Sequence, residues 1–178
     1  MSREIEIKLE YDDREEVISR LEEMKAEKKE VIELKDTYYS SQKDMKNIHD
    51  LLRIRKKNGD VELTYKGKCL DKNNVWERVE LSVRVDNSET MEKILLNMGL
   101  HKISENMSRR EIWKYETSEI MFIDFIYPEE LRLVEVESDS YESVRSILDR
   151  LSDVVTEVGE DLFRKFDDSK NKKRSKKI

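Results

Sequence analysis

The residues Glu4-Ile5-Glu6-Ile7-Lys8-Leu9-Glu10 form a strictly alternating segment near the start of the chain. Successive side chains of a β-strand point to opposite faces, so this segment predicts a strand with one apolar face and one charged face. The charged face carries Glu4, Glu6 and Lys8. Such a face borders either water or an enclosed polar space, and the later strands of the chain help to distinguish the two.

Similar alternation recurs along the chain and predicts a sheet of eight strands. Two connections have the length of hairpins, because Asn58-Gly59 tolerates the positive φ of a tight turn and residues 115–118 can form another. Short connections make the sheet mainly antiparallel. The predicted strands lie near residues 3–10, 35–41, 50–57, 61–67, 76–85, 107–116, 119–126 and 131–138.

Other segments have the periodicity of amphipathic helices. One is expected to begin at Asp12 or Asp13, and another is expected from about Glu142 to Leu151, where Asp139 and Glu142 have the spacing of a capping box. The stripes that these helices would bury are formed by Val17, Ile18, Leu21 and Met24 and by Val144, Ile147, Leu148 and Leu151.

A further helix is predicted between these two, with Ser88 as its N-cap and Gly99 as its end. A short amphipathic turn at residues 162–166 is a candidate for a fourth helix. The stripe predicted to be buried by the middle helix consists of Met91, Ile94, Leu95 and Met98.

The charged faces of the strands are compatible with two architectures. An open sheet with helices on its apolar face would expose them to water, which is the commoner arrangement. A closed barrel is favoured because eight antiparallel strands suffice for closure, and because closure would bring together Glu4, Glu6, Glu135 and Glu137 of the first and last strands. We therefore predict an α+β fold, an eight-stranded antiparallel closed β-barrel with helices packed outside.

The ionic lining of such a barrel predicts its ligand. Closely spaced carboxylates repel one another, and a hard divalent cation, Mg²⁺ or Mn²⁺, would relieve that repulsion. Arginine and lysine side chains across the lumen would need a multiply charged anion. A metal-bridged polyphosphate meets both requirements, with forked donors from Arg53 and Arg55 and point charges from Lys8, Lys66 and Lys114.

Length and composition restrict the class of protein. The chain has 178 residues, which suits one domain, and a net charge of -6, which disfavours nucleic acid as a partner. Its single cysteine, Cys69, excludes an internal disulfide. Without an apolar leader or a bilayer-length apolar run, a cytoplasmic protein with no membrane partner is expected. We assign residues 1–168 to the domain and 169–178 to a basic, disordered tail; a homodimer stays open.

Taken in order, the polar motifs of the strands resemble those of the CYTH family, also called triphosphate tunnel metalloenzymes. The hallmark Glu-x-Glu-x-Lys of that family matches Glu4, Glu6 and Lys8. The resemblance covers roughly residues 1–138, and the pattern most resembles the class IV adenylyl cyclase branch. The other matching motifs are Asp36-Thr37-Tyr38-Tyr39, Leu52-Arg53-Ile54-Arg55, Thr64-Tyr65-Lys66-Gly67, Arg78-Val79-Glu80, Arg110-Glu111-Ile112-Trp113, Ile123-Asp124 and Val134-Glu135-Val136-Glu137.

The resemblance implies a tunnel whose basic side chains bind a triphosphate and whose acidic side chains bind one or two divalent metals. One departure bears on the site, because Ser108 stands where many relatives have a basic residue. By position, the resemblance implies metal ligation by Glu4, Glu6, Glu80, Asp124, Glu135 and Glu137. It implies phosphate binding by Lys8, Arg53, Arg55, Lys66 and Arg110, to which alternation along the strand adds Lys114.

Three functions stay open from the sequence. The resemblance implies a cyclase that converts ATP to cyclic AMP and pyrophosphate, or a triphosphatase that acts on inorganic or organic triphosphates such as thiamine triphosphate. The third is a protein that binds polyphosphate or a nucleotide without turnover. The general base is open between a metal-coordinated water and Tyr38, and Trp76 and Trp113 are expected to pack against helices.

Overall fold

The computed structural model describes residues 3–43 and 48–158. The candidate turn at 162–166 and the basic tail at 169–178 lie outside these residues. In chain order the elements are β1 (Arg3–Glu10), α1 (Arg14–Glu23), β2 (Glu27–Ser40), β3 (Leu51–Lys57), β4 (Asp60–Lys66), β5 (Leu70–Lys72), β6 (Val75–Arg84), α2 (Ser88–Asn97), β7 (His101–Tyr115), β8 (Ser118–Tyr127), β9 (Leu131–Ser138), α3 (Tyr141–Leu151) and β10 (Thr156–Glu157).

The strands form one antiparallel sheet that closes on itself. Neighbouring strands follow the order β1-β9-β8-β7-β2-β3-β4-β6, and β6 pairs again with β1, from Arg3 opposite Val79 to Ile7 opposite Val75. The result is a closed eight-stranded barrel, to which β5 adds beside β6 and β10 beside β1. The predicted α+β barrel with helices outside is confirmed.

Helices α1 and α3 cover one side of the barrel. Val17 and Leu21 of α1 and Ile147 and Leu151 of α3 are buried against the apolar faces of the strands. Because side chains alternate along a strand, the residues between these apolar positions point into the lumen. The strand residues of this outer core include Ile7, Leu9, Ile120, Phe122, Val134 and Val136.

The N-caps of α1 and α2 are set by the residue with extended backbone directly before the helix. The sequence predicted that α1 begins at Asp12 or Asp13. Asp13 is the cap, and its side chain accepts a hydrogen bond from the backbone N–H of Glu15 at 2.8 Å. The prediction for α2 was wrong by one residue. Asn87, not Ser88, is the cap, and its side chain accepts from the backbone N–H of Thr90 at 2.7 Å.

The cap of α3 also differs from the prediction. Ser140 has extended backbone and accepts a hydrogen bond from the backbone N–H of Ser143 at 3.1 Å. Asp139 and Glu142 therefore do not form the predicted capping box. The predicted buried stripe of α3 is confirmed in full.

The buried stripe predicted for α2 was only partly right. Leu95 is 3% exposed, but Ile94 is 45% exposed and Met98 is 69% exposed. The helix lies on a small outer patch with Tyr39 and Ile54, so only one edge of its apolar stripe meets the barrel. The sequence pattern cannot show how wide the receiving surface is.

The two longest strands begin earlier than predicted. Strand β2 starts at Glu27 and β7 starts at His101, and the two pair from Glu27 opposite Lys114 to Ser40 opposite His101. The first residues of β2 are exposed on both faces, so they show no alternation in the sequence. Their strand conformation comes from pairing with β7.

Part of the lumen is apolar, which the alternation of charges did not predict. Ile32 and Ile123 lie directly opposite Arg110 on neighbouring strands and so share its lumen face. With Leu34, Ile112 and Met121 they form a buried cluster inside the barrel. The ionic lining therefore occupies only part of the lumen, formed by residues of β1, β3, β4, β6 and β9 together with Asp36 of β2 and Arg110 of β7.

Candidate active site

The ionic lining is assembled by direct pairing across neighbouring strands. The closure of the barrel places β1 between β6 and β9, so residues from these two distant segments meet beside its charged face. Side chains directly opposite each other share a face. These pairs are Glu6 with Glu137, Lys8 with Glu135, Glu4 with Arg78, Lys66 with Glu80, and Asp36 with Arg55.

The acidic part of the lining is interleaved with buried cations. We call Glu4, Glu6, Glu80, Glu135 and Glu137 the carboxylate cluster. Lys8 Nζ lies 2.8 Å from Glu6 Oε1 and 2.6 Å from Glu135 Oε2. Arg78 Nη2 lies 2.8 Å from the same Glu6 oxygen, and Arg78 Nε lies 3.0 Å from Glu80 Oε1. Each of these cations thus links two strands of the barrel.

Glu4 is the member of the cluster that holds a proton most tightly. Burial, a hydrogen bond shared with Glu80 and the charges of Glu6 and Glu137 raise the pKa of Glu4 to about 9, although Lys66 opposes the change. Glu80, which shares that hydrogen bond, has a lowered pKa. One proton therefore lies between these two carboxyl groups at neutral pH, on Glu4.

The pKa values of Glu6 and Glu137 shift in opposite directions because their neighbours carry opposite charges. Burial alone would raise the pKa of Glu6, but the charges of Lys8 and Arg78 outweigh burial and hold the pKa below its ordinary value. Burial and the charges of Glu135 and Glu6 raise the pKa of Glu137. The cluster therefore combines one firmly ionised carboxylate with two that resist ionisation.

The basic part of the lining consists of three arginines, Arg53, Arg55 and Arg110, which we call the arginine group. They surround the buried Asp36. Arg53 Nη2 donates to Thr64 Oγ1 at 3.0 Å, but the Nε atoms of Arg53 and Arg110 are buried without an acceptor among the described residues. A buried N–H group without a partner is costly, so these donors fit an anionic ligand.

The carboxylate cluster fits a divalent cation by its chemistry. Mg²⁺ and Mn²⁺ prefer oxygen ligands, and the raised pKa values of Glu4 and Glu137 reflect a repulsion that a cation would relieve. Within residues 3–43 and 48–158, no three Asp, Glu, His or Cys side chains already surround one point as ligands. Lys8 and Arg78 contact the carboxylate oxygens, so a metal ion would compete with them.

The structure does not bring Asp124 into the cluster. Its neighbours in sequence alternate with it, and Ile123 faces the lumen opposite Arg110. Asp124 therefore lies on the outer face, where its Oδ2 is 3.3 Å from Arg14 Nη1 of α1. Its alternation with apolar lumen residues was the signal that could have separated it from the metal ligands.

Lys114 shares the face of Arg110, as alternation predicted, but lies apart from the arginine group. Its Nζ is 2.6 Å from Glu119 Oε1, and its side chain is 42% exposed. Glu119 lies opposite Glu137 and helps to raise the pKa of that residue. Lys114 therefore stands at the rim of the carboxylate cluster.

Two lining residues were not assigned from the sequence. Arg78 joins the carboxylate cluster and Asp36 joins the arginine group. The signal for both was present, because each lies two positions from a residue already placed in the lumen, Glu80 or Tyr38. Each lies among residues of the opposite charge, because Arg78 contacts Glu6 and Glu80 and Asp36 contacts Arg55.

Tyr38 enters the lumen beside Asp36 but is a poor general base. Burial and the charge of Asp36 raise its pKa, so the phenol stays protonated at neutral pH. Its hydroxyl donates to Asp36 Oδ2 at 3.5 Å. Tyr38 is better suited to donate a hydrogen bond than to accept a proton.

The two tryptophans lie in different places. Trp113 packs in the outer core with the helices, as predicted. Trp76 does not, because it lies opposite Glu6 on the lumen face, with Lys8 Nζ 4.7 Å from its ring centroid. Trp76 thus forms part of the wall beside the carboxylate cluster.

Comparison with known proteins places the chain in a family. A model described as the CYTH domain matches residues 2–169. The chain belongs to the CYTH family. CYTH proteins are enzymes that act on triphosphates and use divalent metals, which agrees with a lumen that combines carboxylates and guanidinium groups.

One protein is similar to this chain in sequence, and two solved structures are similar to it in fold. A protein from Methanocaldococcus jannaschii named "putative adenylate cyclase" is 32% identical over 124 residues, which cover 68% of this chain and 69% of the relative. A structure from Pyrococcus horikoshii OT3 has a TM-score of 0.70 at 22% identity and covers 86% of this chain and 94% of its own. A Hippeastrum protein, described as a "putative adenylyl cyclase" with a dominant triphosphatase activity, has a TM-score of 0.65 at 16% identity, with coverages of 84% and 87%. The Pyrococcus horikoshii and Hippeastrum structures share the fold of this chain.

None of the helices in the described CYTH barrel has the length and apolar character needed to cross a bilayer.

We expect the affinity of this CYTH protein for Mn²⁺ to increase with pH up to about 9, by up to about tenfold for each pH unit below the pKa of Glu4. The proton on Glu4 would have to leave before this carboxylate could bind a cation, so binding there should release protons. Calorimetry at about pH 6 and about pH 8, in buffers with different ionisation enthalpies, measures both quantities. Equal affinities at the two pH values would contradict this expectation. The Glu4→Gln variant should release fewer protons than the wild type when it binds Mn²⁺.

Proposed function

We propose that this chain is a metal-dependent enzyme that converts ATP to cyclic AMP and pyrophosphate. The observation that carries the proposal is the pair of buried Nε donors of Arg53 and Arg110, which lack acceptors in a lumen that also contains the carboxylate cluster. Donors of this kind bind phosphate oxygens strongly in an enclosed site. The name of the Methanocaldococcus jannaschii relative supports the cyclase reaction.

The basic and acidic residues of the lining would have different roles. Arg53, Arg55 and Arg110, with Lys8 and Lys66, would bind and orient the triphosphate. The carboxylate cluster would hold Mg²⁺ or Mn²⁺, which supplies charge neutralisation and Lewis acidity at the phosphate oxygens. Because Arg53 and Arg110 are largely buried, their guanidinium groups stabilise developing negative charge more strongly than they would in water.

The cyclase reaction needs one particular placement of ATP. The ribose 3′ hydroxyl releases its proton to solvent, its oxygen attacks the α-phosphorus, the bond from the α-phosphorus to the bridging oxygen breaks, and pyrophosphate leaves in line. Arginines fixed by strand register can hold the β- and γ-phosphates in that line. No covalent protein intermediate is required.

A triphosphatase is the second candidate. The same lining would orient a triphosphate for attack by water at the terminal phosphorus, with release of orthophosphate. The Hippeastrum neighbour with its dominant triphosphatase activity favours this alternative, although its low identity shows only the fold. The two reactions differ in the nucleophile and in the phosphorus that is attacked.

Incubation with ATP and with tripolyphosphate, each with Mg²⁺ or Mn²⁺, tests the proposal. Cyclic AMP and pyrophosphate from ATP would support the cyclase. Orthophosphate without cyclic AMP would establish the triphosphatase instead. The absence of any product from either triphosphate would contradict both enzyme proposals and favour a protein that binds its ligand without turnover.

The Arg53→Ala variant should bind the substrate more weakly. Arg53 is 7% exposed and has a free Nε donor, and loss of charge-assisted hydrogen bonds should raise KM about tenfold to a hundredfold. Steady-state kinetics with ATP measure the change. Arg132→Ala is the matched control, because the Arg132 side chain is 77% exposed on the outer face. An unchanged KM for Arg53→Ala would remove Arg53 from the phosphate site.

A further inference from the structure

Asp36 lies at the centre of the arginine group, and its side chain is 0% exposed. One guanidinium holds both of its oxygens: Arg55 Nε donates to Oδ1 at 2.8 Å, and Arg55 Nη2 donates to Oδ2 at 2.7 Å. Arg110 Nη2 lies 3.8 Å from Oδ2, and the Tyr38 hydroxyl donates to Oδ2 at 3.5 Å. A single buried carboxylate thus connects β2, β3 and β7.

This contact fixes the orientation of Arg55. Asp36 engages the single N–H of Arg55 Nε and one of the two N–H groups of Arg55 Nη2, so the donors of Nη1 and the second donor of Nη2 form the edge that Arg55 can offer to a ligand. Arg53 and Arg110 differ, because their Nε atoms are buried without an acceptor in the described part of the chain. One arginine of the group is held by the protein, and two keep free donors.

We propose that Asp36 is a positioning residue, which orients Arg55 for the phosphate and separates it electrostatically from Arg53 and Arg110. This inference rests on the proposed function, because it concerns the groups that would bind the triphosphate. Three guanidinium groups in an enclosed lumen repel one another, and a buried carboxylate between them offsets that repulsion before a ligand enters. Asp36 acts through Arg55 and does not contact the substrate.

A positioning role differs from a purely structural one in the kinetic constants. A carboxylate that only stabilised the barrel would affect folding and leave the kcat of the folded protein unchanged. Asp36→Asn removes a negative charge from the lumen, which should maintain or improve affinity for an anionic substrate. The loosened Arg55 should slow the chemical step, because a small misplacement of a binding group lowers the rate strongly.

The first test measures kcat and KM for ATP and for tripolyphosphate in Asp36→Asn, Arg55→Gln and the double variant. We expect Asp36→Asn to lower kcat about tenfold to a hundredfold with unchanged or lower KM. In the Arg55→Gln background it should have little further effect on kcat, because the two residues act as a unit. Equal fold-changes in both backgrounds, an unchanged kcat, or a higher KM alone would overturn the proposal.

The matched control is Asp124→Asn, which removes a carboxylate from a pair with Arg14 on the outer face. It should leave kcat unchanged. A loss of kcat as large as that of Asp36→Asn would show that any such pair affects turnover, and would overturn the specific role of Asp36.

A second test needs no turnover and does not depend on the folding of a variant. Tripolyphosphate is added to ¹⁵N-labelled wild-type protein, and the Nε–H signals of the arginine group are followed. We expect shifts for Arg53 and Arg110 and almost none for Arg55, whose Nε stays bonded to Asp36. A shift of the Arg55 signal as large as the others overturns the positioning role. An unshifted Arg55 signal without turnover of either triphosphate overturns the proposed function alone.

Discussion

The Glu4→Gln variant is expected to lose about a hundredfold or more in kcat while its metal-free stability at neutral pH rises above that of the wild type. The carboxylate would no longer be available to a divalent cation, and such cations supply several kcal/mol of charge stabilisation in phosphoryl chemistry. Stability should rise because Glu4, with a pKa of about 9, must take up a proton when the chain folds at neutral pH, whereas glutamine has the neutral charge and the shape of the protonated side chain without that cost. Product formation with Mn²⁺ and urea unfolding without metal measure the two effects.

The pH dependence adds a further check on Glu4. Its pKa in the folded protein lies above the ordinary value of 4.5, so its contribution to stability is lost as the pH rises from about 4.5 through about 9. The stability advantage of Glu4→Gln should therefore be smallest near about pH 4.5 and grow as the pH rises through that window. Glu23→Gln, whose parent carboxylate is 61% exposed on α1, should match the wild type in both assays. Full activity of Glu4→Gln would remove Glu4 from the proposed metal site.

The Glu6→Gln variant is expected to have the opposite effect on stability, a loss of about 3 kcal/mol in the free energy of unfolding at neutral pH. Glu6 is 3% exposed and lies between Lys8 and Arg78, so its replacement weakens the pairing of two buried cations. The expected loss is at the lower end of the range for broken buried pairs, because Lys8 keeps Glu135 and Arg78 keeps Glu80. Urea unfolding of both proteins without metal measures the difference.

Acid should remove the difference between Glu6→Gln and the wild type. The pKa of Glu6 in the folded protein lies below the ordinary value of 4.5, so its stabilisation is present above about 4.5 and is lost as the pH falls below it. Unfolding at about pH 3 should therefore show a smaller difference than unfolding at neutral pH. Glu23→Gln should cost less than about 0.5 kcal/mol at either pH, since exposed pairs contribute little. A constant difference across this range would show that packing, and not charge, accounts for the loss.

The strands and their faces could be predicted wherever one face is buried. Ile5, Ile7 and Leu9 alternate with charged residues because one face meets the outer core, and such a pattern is local in the sequence. The first residues of β2 have both faces exposed and left no pattern. Ile94 and Met98 of α2 show the converse, an apolar stripe wider than the surface that receives it.

The candidate site was predictable as a set of residues but not as an arrangement. Most proposed ligands lie in the lumen, yet Asp124 is on the outside with Arg14, and Lys114 is at the rim with Glu119. Asp36 was recognised as part of a motif, but its contact with Arg55 required the register of β2 against β3. Motifs specify residue types, whereas contacts depend on which strands pair and in what register.

The periodic pattern of the chain was sufficient to predict most of the strands and the presence of charges of both signs on one face of the sheet, while the prediction of a closed barrel also needed the number of strands and the paired carboxylates of the first and last strands. Periodicity is a local property, since each side chain takes its direction from the backbone of its own strand. Which charges meet was decided by closure, when β1 paired with β6 on one side and β9 on the other. Pairing between distant segments sets the distances that shift the pKa of Glu4, ionise Glu6 and leave two arginines with free donors, because electrostatic energies depend on separation and burial and not on position in the chain.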